Sequence, residues 1–275
     1  MNKIYQLAMP QRMIEGRHGF FVYNKNDTYI GTALELYGEY CEHEVDLFAK
    51  LVSEGDTILE IGANCGSQTV PLSKFVGNTG RVYAFEPQPV VFQNLCANLS
   101  INGVHNVRAF PFACGNKNGS IFLPNVNYHD AGNFGMVQMQ ESGTERVTLV
   151  KLDDLFKMNE KIKFIKIDVE GMESPVISGL SEIINHFKPS MYVENNGGDE
   201  SKVLIELIWS LGYKIYWHIT YYYNENNFYK NPINIYKNIA SFNMLCLHQD
   251  AGNITGLDFS TLQLIEDSSA HPLKR

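Results

Sequence analysis

From about residue 40 the chain alternates strand-like and helix-like segments, and this alternation limits the fold more than any other feature. Strands separated by helices form a largely parallel sheet in which the helices serve as crossovers. "EHEVDLFAKLV" places Val45, Phe48 and Val52, with Leu47 and Leu51, on a helical stripe, and "TILEI" after it is a short apolar strand. "RVYAF" is the next strand. In "VVFQNLCANLSINGV" Phe92, Leu95, Cys96 and Leu99 keep helical spacing until Asn102-Gly103 supplies a stop. "NVRAFPFA" reads as a third strand and "KIKFIKID" as a fourth. Val176, Ile177, Leu180, Ile183, Ile184 and Phe187 then form one amphipathic helix. "SMYVEN", a helix through Val203, Leu204, Leu207, Ile208 and Leu211, and the strands "YKIYWHI" and "FNMLCLH" complete the series. The organisation predicted is an N-terminal extension over 1–40, one doubly wound α/β domain over 41–250, and a peripheral polar tail over 251–275. The Gly- and Asn-rich stretch 115–145 and the Tyr/Asn stretch 220–241 read as insertions on the acceptor side.

In such folds ligands bind outside the carboxyl ends of the strands, where the first strand-to-helix turn needs glycines for close backbone approach. That turn is Gly62-Ala63-Asn64-Cys65-Gly66. It is neither the G-x-G-x-x-G of a dinucleotide site nor the Gly-Lys-Ser/Thr of a phosphate loop, and no lysine stands in it. Ser67 and Thr69 are candidate caps for the following helix. Glu86 lies twenty positions past Gly66, at the tip of the second strand, where a carboxylate can accept hydrogen bonds from ribose hydroxyls. Glu60 adds a second carboxylate near the loop. Negative charge there repels a pyrophosphate and suits a cationic nucleoside, and S-adenosylmethionine meets that description. In the plainer alternative the glycines only permit tight packing and Glu86 is a solvated strand end.

A net charge of −8 argues against a nucleic-acid acceptor. Cys41, Cys65, Cys96, Cys114 and Cys246 form no CxxC pair, so they read as reduced thiols of a cytoplasmic protein, not as a zinc site or disulfide framework. The N-terminus has no apolar signal core and no run is long enough to span a bilayer, so Asn118 and Asn253, though in glycosylation patterns, read as chance matches.

The blocks "GDTILEIGANCGSQTVPLSKFVG", "GRVYAFEPQP", "FIKIDVEGMES" and "MYVENN", in that order, resemble the FkbM family of S-adenosylmethionine-dependent methyltransferases. Weaker similarity extends to "LYGEYCEHEVDLF" and "NNFYKNPINIYKNIASFNMLCL", so the resemblance covers roughly residues 35 to 250. It implies a class I (Rossmann-like) methyltransferase fold with a seven-stranded, mostly parallel sheet, helices on both faces, and "FNMLCLH" as an antiparallel last strand. It further implies O-methylation of hydroxyls on sugars, polyketides or related small molecules. Glu60 stands where the family often has Asp. The cofactor contacts expected are Glu60, Gly62, Ala63, Asn64, Gly66, Glu86, Pro87, Ala113 and Asp168.

Methyl transfer needs an acceptor oxygen held near attack distance and a route for its proton. Asp168, which ends the fourth strand, and Glu170 in the turn beyond are candidate bases, and either could instead bind the cofactor's amino group or cap the next helix. His129 in "NYHDAGNFG" is a third candidate, with Asp130 beside it as an acceptor contact. Glu194 and Asn195 end the fifth strand, and Tyr223 and Asn231 represent a Tyr/Asn lip suited to a polyhydroxylated acceptor or, equally, to packing and turns. Asp168, Glu194 and Asn195 resemble the Asp/Asp-Asn magnesium site of catechol-type O-methyltransferases. Glu replaces the second Asp, so the sequence favours no obligatory metal. The leading expectation is O-methylation of a sugar, glycan or sugar-like small molecule. The alternatives are a nitrogen or macromolecular acceptor, or a silent cofactor-binding module.

Overall fold

The computed structural model describes residues 4–156, 160–250 and 256–272. At the N-terminus β1 (Ile4–Gln6), β2 (Gln11–Gly16) and β3 (Gly19–Asn24) form an antiparallel meander, followed by α1 (Ile30–Tyr37). Helix α2 (Glu42–Leu51) leads into β4 (Thr57–Ile61), α3 (Thr69–Val76), β5 (Arg81–Phe85), α4 (Pro89–Ile101) and β6 (Val107–Phe110). A second, three-stranded sheet comprises β7 (Phe112–Gly115), β8 (Gly119–Leu123) and β9 (Glu145–Lys151). The short α5 (Leu152–Leu155) precedes β10 (Ile162–Ile167), α6 (Glu173–Ser178), α7 (Ser181–Phe187) and β11 (Ser190–Glu194). Then come α8 (Asp199–Ser210), β12 (Tyr213–Tyr221), β13 (Ala240–His248) and β14 (Gln263–Leu264).

The main sheet runs β14-β12-β13-β11-β10-β4-β5-β6. The strands from β6 to β11 are parallel, and β13 is antiparallel to both of its neighbours. Strands buried on both faces lack clean polar alternation, as "TILEI" and "KIKFIKI" do here. One face packs under α6, α7 and α8 through Ile165, Ile167, Ile177 and Ile205; the other packs under α2, α3 and α4 through Phe48, Ile58, Leu72 and Leu95. Among the described residues no helix is long and apolar enough to cross a membrane.

The sequence-based expectations need four revisions. "NVRAFPFA" is two strands in two sheets, because Pro111 has no N–H for the ladder and the chain turns there. The helix expected from Val176 to Phe187 is two helices. Gly179 meets β7 so closely that a Cβ would stand 2.0 Å from the Gly115 carbonyl oxygen. The second helix then has its own cap, since the Asp153 carboxylate accepts from the N–H groups of Glu182 and Ile183 at 3.0 and 3.1 Å. Helix α3 starts without any side-chain cap, so neither Ser67 nor Thr69 serves as one. The sheet has eight strands instead of seven, because the tail supplies β14. The Ile265 side chain is buried beside it, and the Ile265 N–H donates to Ile215 O at 2.9 Å.

The N-terminal meander is held by two asparagines one turn apart on α4. Asn98 accepts from Val22 N–H (2.6 Å) and donates to Val22 O (3.0 Å), and Asn102 does the same for Phe20 (2.9 and 2.7 Å). Their amides stand in for the next strand, leaving no orphaned donors on β3 at those residues. Asn98 also donates to Cys65 O at 2.7 Å, so the meander is tied to the glycine turn.

Candidate active site

From β4 the chain moves outward through β5 to β6, then returns to place β10 on the other side of β4. This reversal of strand order opens a crevice beyond the carboxyl ends of β4 and β10, and a cavity lies there.

Gly62 and Ala63 follow β4 and both donate to Phe85 O, each at 2.9 Å. Gly62 has φ +88°, and a Cβ on it would lie 1.7 Å from the Asp168 carbonyl oxygen. Glycine is therefore required here by the approach of the strand beyond β10, whatever the loop binds. Glu86, at the tip of β5, accepts from Asn64 N–H and Gln88 N–H, each at 2.9 Å. Burial pushes its carboxyl up to about 7, against the pull of those two donors. The segment after β8 closes over this end: Gln88 Nε2 donates to Phe134 O at 2.8 Å and Tyr128 Oη to Gln88 Oε1 at 3.1 Å.

Behind the glycine turn lies a buried polar seam. Lys166 of β10 sits in register with Glu60 of β4, and its Nζ donates to Asp168 Oδ2 at 2.9 Å and more weakly to Gly62 O at 3.4 Å. Burial acts to lower the Lys166 pKa, but Asp168, Glu60 and Glu44 together hold it above its ordinary range. Glu44 of α2 accepts from Gln68, Thr220 and Asn243 at 2.8, 2.9 and 2.9 Å. Glu60 is fully buried and meets no partner in good hydrogen-bond geometry; burial pushes it up to about 7 although Lys166 and the neighbouring Thr69 hydroxyl pull it down.

Asp168, just beyond β10, converges with Glu170 and Glu194 in the cavity wall, one oxygen of each lying within 4.8 Å of the others. Glu170 has φ +53°, an unusual backbone for a non-glycine residue. Burial, then repulsion from Asp168 and Glu173, pushes it up to about 8. Burial and the same neighbouring carboxylates raise Glu194 well above its ordinary range. Tyr29, Tyr40, Cys41 and Tyr222 complete this part of the wall, with Met136 and Met139 of the overlying segment.

Of the residues singled out in the sequence, Gly62, Ala63, Asn64, Glu86, Pro87, Ala113, Asp168, Glu170 and Glu194 line this one cavity. Glu60 lies behind it, and Gly66 lies in the turn just before α3, where a Cβ would stand 2.8 Å from Leu95 Cδ1. His129 and Asp130 are exposed and outside the lining; the Asp130 carboxylate accepts from Asn127. Asn195 is turned away, accepting from Gly197 N–H and donating to Met244 Sδ. Tyr223 and Asn231 are absorbed in the packing of their own segment on α1. The Tyr223 hydroxyl donates to Asn231 O, and Asn231 Nδ2 donates to Leu36 O. Tyr222, one residue away, is the lip tyrosine that lines the cavity. Sequence reasoning missed Tyr29, Tyr40, Cys41, Glu44 and Lys166. A signal existed for Lys166, a charge inside an otherwise apolar strand, and for the residues of "EYCEHE", which lie in a block of family similarity.

The donor set fits S-adenosylmethionine. Five carboxylates, those of Glu44, Glu86, Asp168, Glu170 and Glu194, face a cavity whose one lining lysine is already ion-paired. That suits an ammonium and a sulfonium, and the buried carboxylate of Glu60 lies just behind. A pyrophosphate would find no free cation in the lining.

A family model described as the methyltransferase FkbM domain matches residues 60–215, more than half of the chain. Protein-L-isoaspartate O-methyltransferase of Methanococcus maripaludis is 37% identical over 76 residues, 28% of this chain and 33% of that protein. The Archaeoglobus fulgidus protein-L-isoaspartate O-methyltransferase 2 is 33% identical over 88 residues, 30% of this chain and 40% of its own. The chain thus spans between a third and two-fifths of these relatives' length. Among solved structures, an FkbM methyltransferase from Methylobacillus flagellatus KT superposes with TM-score 0.48 at 16% identity, over 70% of this chain and 44% of that one. Fibrillarin from Aeropyrum pernix, with natively bound S-adenosyl-L-methionine, superposes with TM-score 0.45 at 13% identity, over 89% and 97%.

Proposed function

Because this chain belongs to the FkbM methyltransferase family and is an S-adenosylmethionine-dependent enzyme, we propose that it methylates a hydroxyl of an uncharged, sugar-like acceptor. The observation that carries this reading is a cavity lined by three convergent carboxylates, Asp168, Glu170 and Glu194, and by Tyr29, Tyr40 and Tyr222. Carboxylates accept hydrogen bonds from hydroxyls and tyrosine faces pack against sugar rings, whereas a phosphate or nucleic-acid backbone would be repelled.

When bound, S-adenosylmethionine supplies a methyl group on a sulfonium: the acceptor oxygen forms the new O–C bond, the C–S bond breaks, and its electron pair stays on sulfur. The chain's residues do the rest. Glu86 holds the glycine turn and offers its remaining acceptor capacity to the ribose. Lys166 fixes one oxygen of Asp168, leaving the other for the acceptor hydroxyl. The acceptor proton passes to the carboxylate cluster, and Tyr40 and Tyr222 limit access of water. We place the reaction in the cytoplasm, a reading supported by five unpaired cysteine thiols.

The test is transfer of a labelled methyl group to a panel of neutral glycosides, amino sugars, RNA and peptides. Base-stable label on a neutral glycoside is expected, since a methyl ether resists alkali. Label appearing only on peptides and released by mild base would mark a carboxyl ester and sink the hydroxyl reading.

A further inference from the structure

We propose that Asp168, Glu170 and Glu194 form a binding site for a hard divalent cation in the cavity wall. The inference rests on the acceptor reading above and adds an ion to it. One oxygen of each residue lies within 4.8 Å of the other two. Oxygens shared by one cation are separated by at most twice the metal–oxygen distance. That limit is about 4.6–5.2 Å for calcium and about 4.0–4.2 Å for magnesium. Three oxygens mutually spaced about one shared ion can be at most about 4.5 Å apart at calcium's longest bond length, so the three groups come into range of a calcium-sized ion, and of a magnesium- or manganese-sized one, through a small side-chain turn.

Charge balance points the same way. Lys166 Nζ is 2.9 Å from Asp168 Oδ2 and accounts for one negative charge. Glu170 and Glu194 have no cation partner within 4.0 Å among the described residues, so two carboxyl groups are left without a counter-ion for one divalent ion to meet. A separate observation concerns Glu194 alone. The residue is 9% exposed, lines the cavity, and its Oε2 has no hydrogen-bond partner. An acceptor oxygen that is buried and unpartnered is costly unless a ligand meets it.

The site differs from the Asp168–Glu194–Asn195 set suggested by the sequence. The Asn195 side chain is engaged with Gly197 N–H and Met244 Sδ, and Glu170 takes its place. Three protein oxygens leave coordination positions for water and for the acceptor's hydroxyl oxygens. A cation there would draw in two adjacent hydroxyls of a sugar and ease loss of the proton from one of them.

The experiment is titration of Mn²⁺ into protein saturated with S-adenosylhomocysteine, with free Mn²⁺ read by electron paramagnetic resonance and S-adenosylhomocysteine affinity by calorimetry. One bound Mn²⁺ per chain, displaced by Mg²⁺, is expected. Glu170→Gln, at a partly exposed position, and Glu194→Gln should each weaken Mn²⁺ binding tenfold or more while S-adenosylhomocysteine affinity holds. Wild-type protein that binds S-adenosylhomocysteine but no Mn²⁺ would overturn the site, as would Mn²⁺ binding that Glu170→Gln leaves unchanged. Loss of S-adenosylhomocysteine binding by the wild type would instead count against the cofactor geometry underlying the proposed function.

Discussion

The carboxylates that line the cavity are satisfied in two opposite ways. Both oxygens of Glu86 are met by backbone N–H groups, one from the glycine turn and one two residues along the chain. In the cluster of Asp168, Glu170 and Glu194 one Glu194 oxygen has no partner, and among the described residues Lys166 alone is ion-paired to the cluster. The first arrangement completes itself within one β-α-β unit. The second leaves acceptor groups that no described residue meets.

Breaking the carboxylate cluster should have the largest effect. Asp168→Asn keeps the shape and removes the charge that Lys166 holds in place. The expected result is a kcat lower by roughly 10²–10⁴ with cofactor affinity nearly intact. A fall in cofactor affinity with unchanged turnover would make Asp168 a cofactor contact instead.

The polar seam sharpens the contrast through pH. Glu60 is pushed up to about 7 by burial, above the ordinary value that applies in the unfolded chain. The neutral form is favoured in the folded protein, so this stabilising contribution is full below the unfolded value and is lost as pH rises through about 7. Unfolding by urea at pH 5.5 and pH 8 should show the ligand-free protein losing stability at the higher pH, with Glu60→Gln reducing that loss by on the order of 2 kcal/mol. An equal pH dependence in the two proteins would mean that Lys166 keeps Glu60 ionised throughout.

Glu86→Ala removes the acceptor for two N–H groups and the ribose contact together. Calorimetry should show cofactor binding weakened by roughly 1.5–3 kcal/mol, the value of a hydrogen bond to a charged group. Unchanged affinity would put the ribose elsewhere.

The smallest effect is expected at Asn231. From the sequence it is a lip residue, and Asn231→Ala should raise the acceptor KM. In the structure its amide holds the segment on Leu36 of α1, and the expected outcome is a loss of about 1 kcal/mol in stability with acceptor KM unchanged. A KM that rises without loss of stability would restore the lip reading for this residue.

How much was legible follows from how far each contact reaches along the chain. The strands β4, β5, β6, β10 and β11, and the glycine turn, could be read because each depends on local spacing, whereas β8 lies in the stretch that read as an insertion and β9 at its edge went unread. The antiparallel β13 came from family resemblance. The breaks at Pro111 and Gly179 escaped the reading for different reasons. Proline in an apolar run looks like a pause within one strand, and the need for Gly179 arises only where β7 crosses it. Helical spacing continues across Gly179, so periodicity alone reports a single helix.

What the sequence by itself determined is the α/β order, the place of the ligand crevice and a cofactor turn unsuited to pyrophosphate, all set by short-range pattern and backbone stereochemistry. Only the tertiary structure decided which polar residues meet. Tyr29 and Tyr40 from the N-terminal region, Tyr222 from the far end and Glu194 from β11 converge because packing of the N-terminal segments onto the sheet brings distant residues together. His129 is exposed, and Asn195 and Asn231 are held by hydrogen bonds to Met244 and Leu36, arrangements that the sequence does not show. Residue type indicates what a side chain can do, and burial with its partners decides whether it is free to do it.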